Sequence, residues 1–120
     1  MPGATLKRFN KRAFSLLTVR SNFKEVLMSA YISINFSPVD PEKLQQYGAA
    51  VPATLSNYSG EYVVKGPVEL LCGQTEFKMQ VILQFPSRAQ ALAWYNCAEY
   101  QALLPLRNAA MHAQFQLIGG

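Results

Sequence analysis

The chain has 120 residues, half of them hydrophobic and 15% charged, which suits one domain with a real core and excludes a disordered chain. Its formal charge of +4 is unevenly placed: residues 1–27 hold six Lys and Arg against Glu25, whereas residues 28–120 hold five (Lys43, Lys65, Lys78, Arg88, Arg107) against six Asp and Glu. The body therefore presents no basic face to a nucleic acid, and no apolar run approaches the roughly 20 residues of a membrane span.

Residues 1–27 form a basic leader, and residues 28–120 form the folded domain. Within the leader "AFSLLTV" is a marginal signal core, and Arg20 follows it. A transit peptide fits the Arg and Ser content, with Phe9, Arg12 and Leu16 along one helical face. The reading adopted is a disordered tail, or sequence upstream of a start at Met28, because a strand begins directly after that residue.

"AYISINF" alternates Ala30, Ile32, Ile34 and Phe36 with Tyr31, Ser33 and Asn35, so a strand with one buried face is expected. Asp40, Pro41 and Glu42 then supply an N-cap, a first-turn proline and a dipole-favoured acid. The helix they open carries Leu44, Tyr47 and Val51 at helical spacing, with Pro52 as a kink or a second start. "SGEYVVKG" is a short strand that "PVELLCG" extends as a hairpin to Gly73. "EFKMQVILQF" is the best strand in the chain, with Phe77, Met79, Val81, Leu83 and Phe85 on one face. Pro86 stops it. Ser87 with Gln90 makes a capping box, and Asn96 with Glu99 makes a second one that restarts a helix at Cys97. Pro105 kinks that helix or begins a new turn. "AQFQLIG" closes the chain as a strand, with Ala113, Phe115 and Leu117 inward.

The order β-α-β-β-α-β predicts an α+β, ferredoxin-like fold, a four-stranded antiparallel sheet with its helices on one face. The other face carries Ser33, Asn35, Gln80, Ile82, Gln84, Gln114 and Gln116, polar but nearly uncharged. Such a face suits half-burial against a second subunit or around a pocket better than open solvent. Cys72 and Cys97 read as inert, buried thiols in a reducing cytoplasm, with a disulfide between them as the alternative. No cysteine or histidine spacing suggests a metal, and no cofactor is expected.

"VPATLSNYSGEYVVKGPVELLCG", "VILQFPSRAQALAWYNCAEYQALLPLR" and "FQLIGG" resemble a family of small, mostly bacterial proteins catalogued as a domain of unknown function, number thirteen-thirty. The resemblance covers about residues 29–119 and none of the leader. It implies a dimeric α+β barrel, two ferredoxin-like subunits packed sheet to sheet, in a superfamily that includes cofactor-free monooxygenases, lactone isomerases and haem proteins. Two departures stand out. The family's Ser-Pro pair before "EY" is Cys97-Ala98 here, with Asn96 expected to take over the cap, and the carboxylate often found before "FPS" is Gln84.

The candidate ligand-binding set is Asn35, Tyr62, Lys65, Glu69, Tyr95, Tyr100 and Arg107. Trp94 and Tyr95 read first as core aromatics under a two-helix roof. Tyr100 and Arg107 share a helix face if Pro105 leaves it intact. A guanidinium among apolar residues wants a carboxylate, either Glu69 or Glu99 of this chain or an anionic ligand. Lys65 and Glu69 flank the Gly66-Pro67 turn as solvated charges or as a pocket rim. His112 is the lone imidazole and opens the last strand without an assignable carboxylate partner. Two functions follow. One is a homodimer that binds a small, anionic organic molecule between sheet and helices, with Asn35, Tyr62, Tyr100 and Arg107 in one pocket and cofactor-free catalysis as an extension. The other is a non-catalytic dimeric binding or scaffold module.

Overall fold

The computed structural model describes residues 29–120; the leader and its readings lie outside them. Strand β1 (Ala30–Pro38) buries Ala30, Ile32, Ile34 and Phe36, as the alternation requires. Helix α1 (Pro41–Ser56) follows, and the Asp40 carboxylate accepts hydrogen bonds from the backbone N–H groups of Glu42 and Lys43. Pro52 lies inside α1, which continues past it for another turn. Strands β2 (Glu61–Pro67) and β3 (Met79–Phe85) come next. Three short helices, α2 (Arg88–Asn96), α3 (Ala98–Gln101) and α4 (Leu104–Ala110), then lead to β4 (Met111–Gly119).

The sheet order is β2-β3-β1-β4 with every neighbour antiparallel. This is the split βαβ arrangement predicted. The hydrophobic side chains of β1 and of Val81, Leu83 and Phe85 meet Tyr47, Val51 and Leu55 of α1, Trp94 of α2 and Tyr100 of α3 in one core. On the helix-free side Ser33, Asn35, Gln80, Ile82 and Gln84 are half-buried, and Gln114 and Gln116 are exposed. Gln80 donates to the Ser33 hydroxyl at 2.9 Å and Gln84 to that of Ser29 at 3.2 Å.

Gly60 is required by a close approach. A Cβ there would lie 2.6 Å from a Phe85 ring atom and 2.8 Å from a Leu55 methyl, so only a glycine lets the α1–β2 turn seat against the core.

Four local expectations need correction. "PVELLCG" does not extend the hairpin, because β2 ends at Pro67 and the adjacent leucines have no period-two pattern; Leu71 is 91% exposed. Phe77 also falls outside β3, because its N–H is taken by the Thr75 hydroxyl at 3.1 Å in a local turn that competes with the ladder. Asn96 does not cap the restarted helix. Its amide donates back to the Leu92 carbonyl, and the Cys97 sulfur accepts from the Tyr100 N–H at 3.4 Å. Cys97 thus takes the capping role directly. Both cysteines are free, and Cys72 is exposed rather than buried.

Candidate functional site

Between the sheet and α1 lies a small cleft of about 50 Å³, open at its mouth. Its walls are Ile34, Phe36, Val81 and Leu83 from the sheet, Leu44 and Val51 from α1, and Trp94. Tyr62 and Lys65 line it from the edge strand β2, and Tyr47 and Gly48 line it from α1. The cleft is therefore apolar except for two phenols and one ammonium. Gly48 contributes space directly: a Cβ at that position would meet no atom within 4 Å.

Strand β2 delivers Tyr62 and Lys65 to the same side through a bulge. Tyr62 pairs with Leu83 and Lys65 with Val81, both buried positions of β3, while only Ile82 lies between those two partners. The register shift falls between Tyr62 and Val64, so Val63 is the extra residue. It brings side chains three apart onto one face.

Behind the cleft runs a network of phenols ending in a guanidinium. The Tyr47 and Tyr100 hydroxyl oxygens lie 2.7 Å apart. Arg107 donates from one Nη1 to the Tyr100 hydroxyl at 3.2 Å and to that of Tyr95 at 3.1 Å. The guanidinium carbon also sits 4.6 Å from the centre of the Phe115 ring, a cation–π distance. Trp94 anchors the same wall, its indole N–H donating to Thr54 at 2.9 Å, whose hydroxyl donates to the Val51 carbonyl at 2.7 Å.

Electrostatics keep these phenols neutral. Burial raises the Tyr47 pKa far above the ordinary tyrosine value, and neighbouring Tyr100 adds to the rise. Burial also lifts Tyr100 above that value, although its hydrogen bonds with Tyr47 and Arg107 oppose the change. Tyr62 is raised by burial and then by the nearby charge of Tyr100. For Arg107 burial works against the charge, but the hydrogen bonds to Tyr95 and Tyr100 outweigh it and the pKa rises.

The seven sequence candidates divide accordingly. Tyr62 and Lys65 line the cleft; Tyr95, Tyr100 and Arg107 form the network behind it. Asn35 points to the helix-free face, so the expectation of one pocket holding Asn35 with Tyr62, Tyr100 and Arg107 is corrected. Strand alternation puts Asn35 opposite its buried neighbours Ile34 and Phe36. Glu69 lies exposed beyond the end of β2. The expected Arg107–carboxylate pair is also corrected: among the described residues Arg107 is held by phenol oxygens and Asn108 instead. Pro105 breaks the helix between Tyr100 and Arg107, yet the turn it opens brings the two into contact.

The Domain of unknown function (DUF1330) family model matches residues 29–120. The chain belongs to this family. A comparison with curated proteins finds no match. Among solved structures, this DUF1330 chain is similar to RPA0582, a protein of unknown function from Rhodopseudomonas palustris, with a TM-score of 0.64 and 15% identity over 91% of this chain and 95% of that one. It is also similar to SnoaB of Streptomyces nogalater, described as a cofactor-independent oxygenase, with a TM-score of 0.58 and 10% identity over 78% of this chain and 93% of the other. A third likeness is to a dimeric protein of unknown function and ferredoxin-like fold from Bacteroides fragilis, with a TM-score of 0.53 and 14% identity over 77% and 96% of the two chains. At these identities the likenesses establish the fold.

Two groups escaped the sequence reading. Tyr47 was placed only in the core stripe of α1, and the signal for more was its hydroxyl, which a buried position must partner. Glu76 approaches His112, Oε1 to Nε2 at 3.5 Å, and Phe77 stacks on the imidazole with ring centres 5.4 Å apart. Both members of that pair are exposed, so it contributes little to stability. No group of three or more His, Cys, Asp or Glu comes together as a metal site among the described residues, and no helix there is long and apolar enough to cross a membrane.

Proposed function

We propose that the protein is a homodimer in which each subunit binds one small, largely apolar organic molecule carrying an anionic oxygen. The observation that carries this reading is the cleft itself: apolar walls, a bulge-placed ammonium at the rim and phenols at its polar end. Specific ligand pockets combine apolar lining with a few convergent polar groups in this way. Lys65 supplies a point charge that suits a carboxylate, sulfonate or enolate.

The dimer is supported by the helix-free face. Its amides are half-buried or exposed, with Glu61 beside Gln84 at the β2 edge, and the exposed side chains of Ile118 and of Val64, which pairs with Ile82, flank them. The similar Bacteroides fragilis structure, described as dimeric, adds to that support. SnoaB's description as a cofactor-independent oxygenase supports extending the reading to chemistry without a cofactor, on a bound molecule that is itself reactive. Two free cysteines, one of them exposed, suit a reducing cytoplasm.

Titration with 8-anilinonaphthalene-1-sulfonate tests the site. Saturable fluorescence enhancement at one probe per subunit is expected, weakened about tenfold by Lys65→Met and abolished by Gly48→Leu, which fills the cleft. Equal binding to all three proteins would overturn the assignment. Sedimentation equilibrium tests the dimer, and a monomer at micromolar concentration would overturn that part.

A further inference from the structure

The network behind the cleft has a direction. Arg107 has only donors, so both hydrogen bonds from its Nη1 run toward the oxygens of Tyr95 and Tyr100. Tyr100 is 0% exposed and has one hydroxyl hydrogen, for which the Tyr47 oxygen at 2.7 Å is the acceptor that the structure offers among the described residues. Were Tyr47 the donor instead, the Tyr100 oxygen would accept twice and its own hydrogen would be stranded in the core. The hydrogen between the two phenols therefore belongs to Tyr100. That leaves the Tyr47 hydrogen directed away from Tyr100, and Tyr47 lines the cleft.

We propose that Arg107, acting through Tyr100, holds Tyr47 as the hydrogen-bond donor of the cleft, so that the ligand is anchored there by a carbonyl or anionic oxygen. This rests on the cleft being the binding site. Tyr47 touches the ligand; Tyr100 and Arg107 are positioning residues that do not. The chain of bonds polarises the terminal O–H, because each donor strengthens the next in a medium of low polarity. Burial keeps both phenols protonated, whichever of them donates to the other.

Two measurements on the full chain test it. In protein labelled with ¹³Cζ-tyrosine, the slowly exchanging hydroxyl proton shared by the two rings is expected to couple to the Tyr100 carbon. Coupling to the Tyr47 carbon would overturn the proposal without any ligand. The second compares 2-acetonaphthone with 2-ethylnaphthalene, nearly equal in shape, of which only the ketone accepts a hydrogen bond. Wild-type protein is expected to favour the ketone, and Tyr47→Phe to abolish that preference through about a tenfold loss of ketone affinity, leaving the hydrocarbon unchanged. Tyr100→Phe and Arg107→Met should lower the ketone preference in the same direction, again without moving the hydrocarbon's Kd. If they leave it intact while Tyr47→Phe removes it, the relay is wrong. If neither naphthalene binds wild-type protein, the cleft reading and the anchoring role fall together, while the proton's assignment still decides the direction of the relay.

Discussion

Tyr62 and Lys65 stand three positions apart on β2 yet pair with Leu83 and Val81, two residues on the same buried face of β3. Val63 makes this possible by occupying no place of its own in the register. Deleting Val63 would leave Tyr62, Val64 and Lys65 opposite Leu83, Ile82 and Val81 in plain alternation. The deletion is thus expected to preserve both the fold and the binding of the anionic probe. Cross-strand nuclear Overhauser contacts from Lys65 to Val81 check the register. A slip of one residue would instead send Lys65 to the helix-free face and remove the effect of salt on binding.

Gly48 is a helical residue kept without a side chain where a side chain would fit. Gly48→Ala should therefore raise stability by about 0.5–1 kcal/mol through the loss of unfolded-state freedom. Gly48→Leu should stay folded but exclude the probe. Thermal unfolding and probe titration, run together, separate the two effects. A Gly48→Ala protein less stable than wild type would mean that the cleft does not have the shape described.

Trp94, fully buried, depends on Thr54 for its indole hydrogen bond. Thr54→Val keeps the volume and removes the acceptor, stranding a buried donor at a cost of about 1–3 kcal/mol. Thr54→Ser should retain most of that bond and lose less. The difference in chemical denaturation midpoint between the two variants isolates the hydrogen bond from the packing.

Cys97 caps α3 with a sulfur, a weak acceptor at 3.4 Å from the Tyr100 N–H. Serine is among the preferred capping residues, so Cys97→Ser is expected to gain a few tenths of a kcal/mol and Cys97→Ala to lose about 0.5–1 kcal/mol. The same cap orients Tyr100, so the alanine variant should also broaden the Tyr100 ring resonances.

Most of the fold was legible because β1, β3 and β4 alternate, broken only by residues such as Ile82 and Ile118, and a period of two leaves one choice of buried face. The caps at Asp40 and Ser87 were legible for a similar reason, since each is a local pattern answered by a local hydrogen bond. Tyr62, Val63 and Val64 carry no such alternation, and the bulge stayed invisible. The site was harder. Tyr100 and Arg107 could be linked by spacing, but their partner Tyr47 comes from 53 residues away and its hydroxyl is matched only once the helices pack. For Asn35 the alternation already argued for the opposite face, and a pocket under the helices had no room for it. The carboxylate sought for Arg107 was a sound expectation in electrostatic terms. Two phenol oxygens and the Phe115 ring meet it instead, and they leave the positive charge uncancelled.

Burial of Tyr47 and Tyr100 makes stability depend on pH at the alkaline end. Both phenols have folded-state pKa values above the unfolded value near 10. Below pH 10 neither state is ionised at these groups and their contribution is fully present. Above it the unfolded chain releases protons that the folded chain retains, so stability falls as pH rises, by about 1.4 kcal/mol per pH unit for each phenol that fully resists ionisation. Urea unfolding between pH 8 and 11 should show this slope. Tyr47→Phe should flatten it by roughly one proton, even where the variant begins less stable. The corresponding absorbance near 295 nm should appear for the buried phenols only as the protein unfolds. If both ionise in the folded protein near pH 10, then water reaches the hydroxyls and the network is not closed as described.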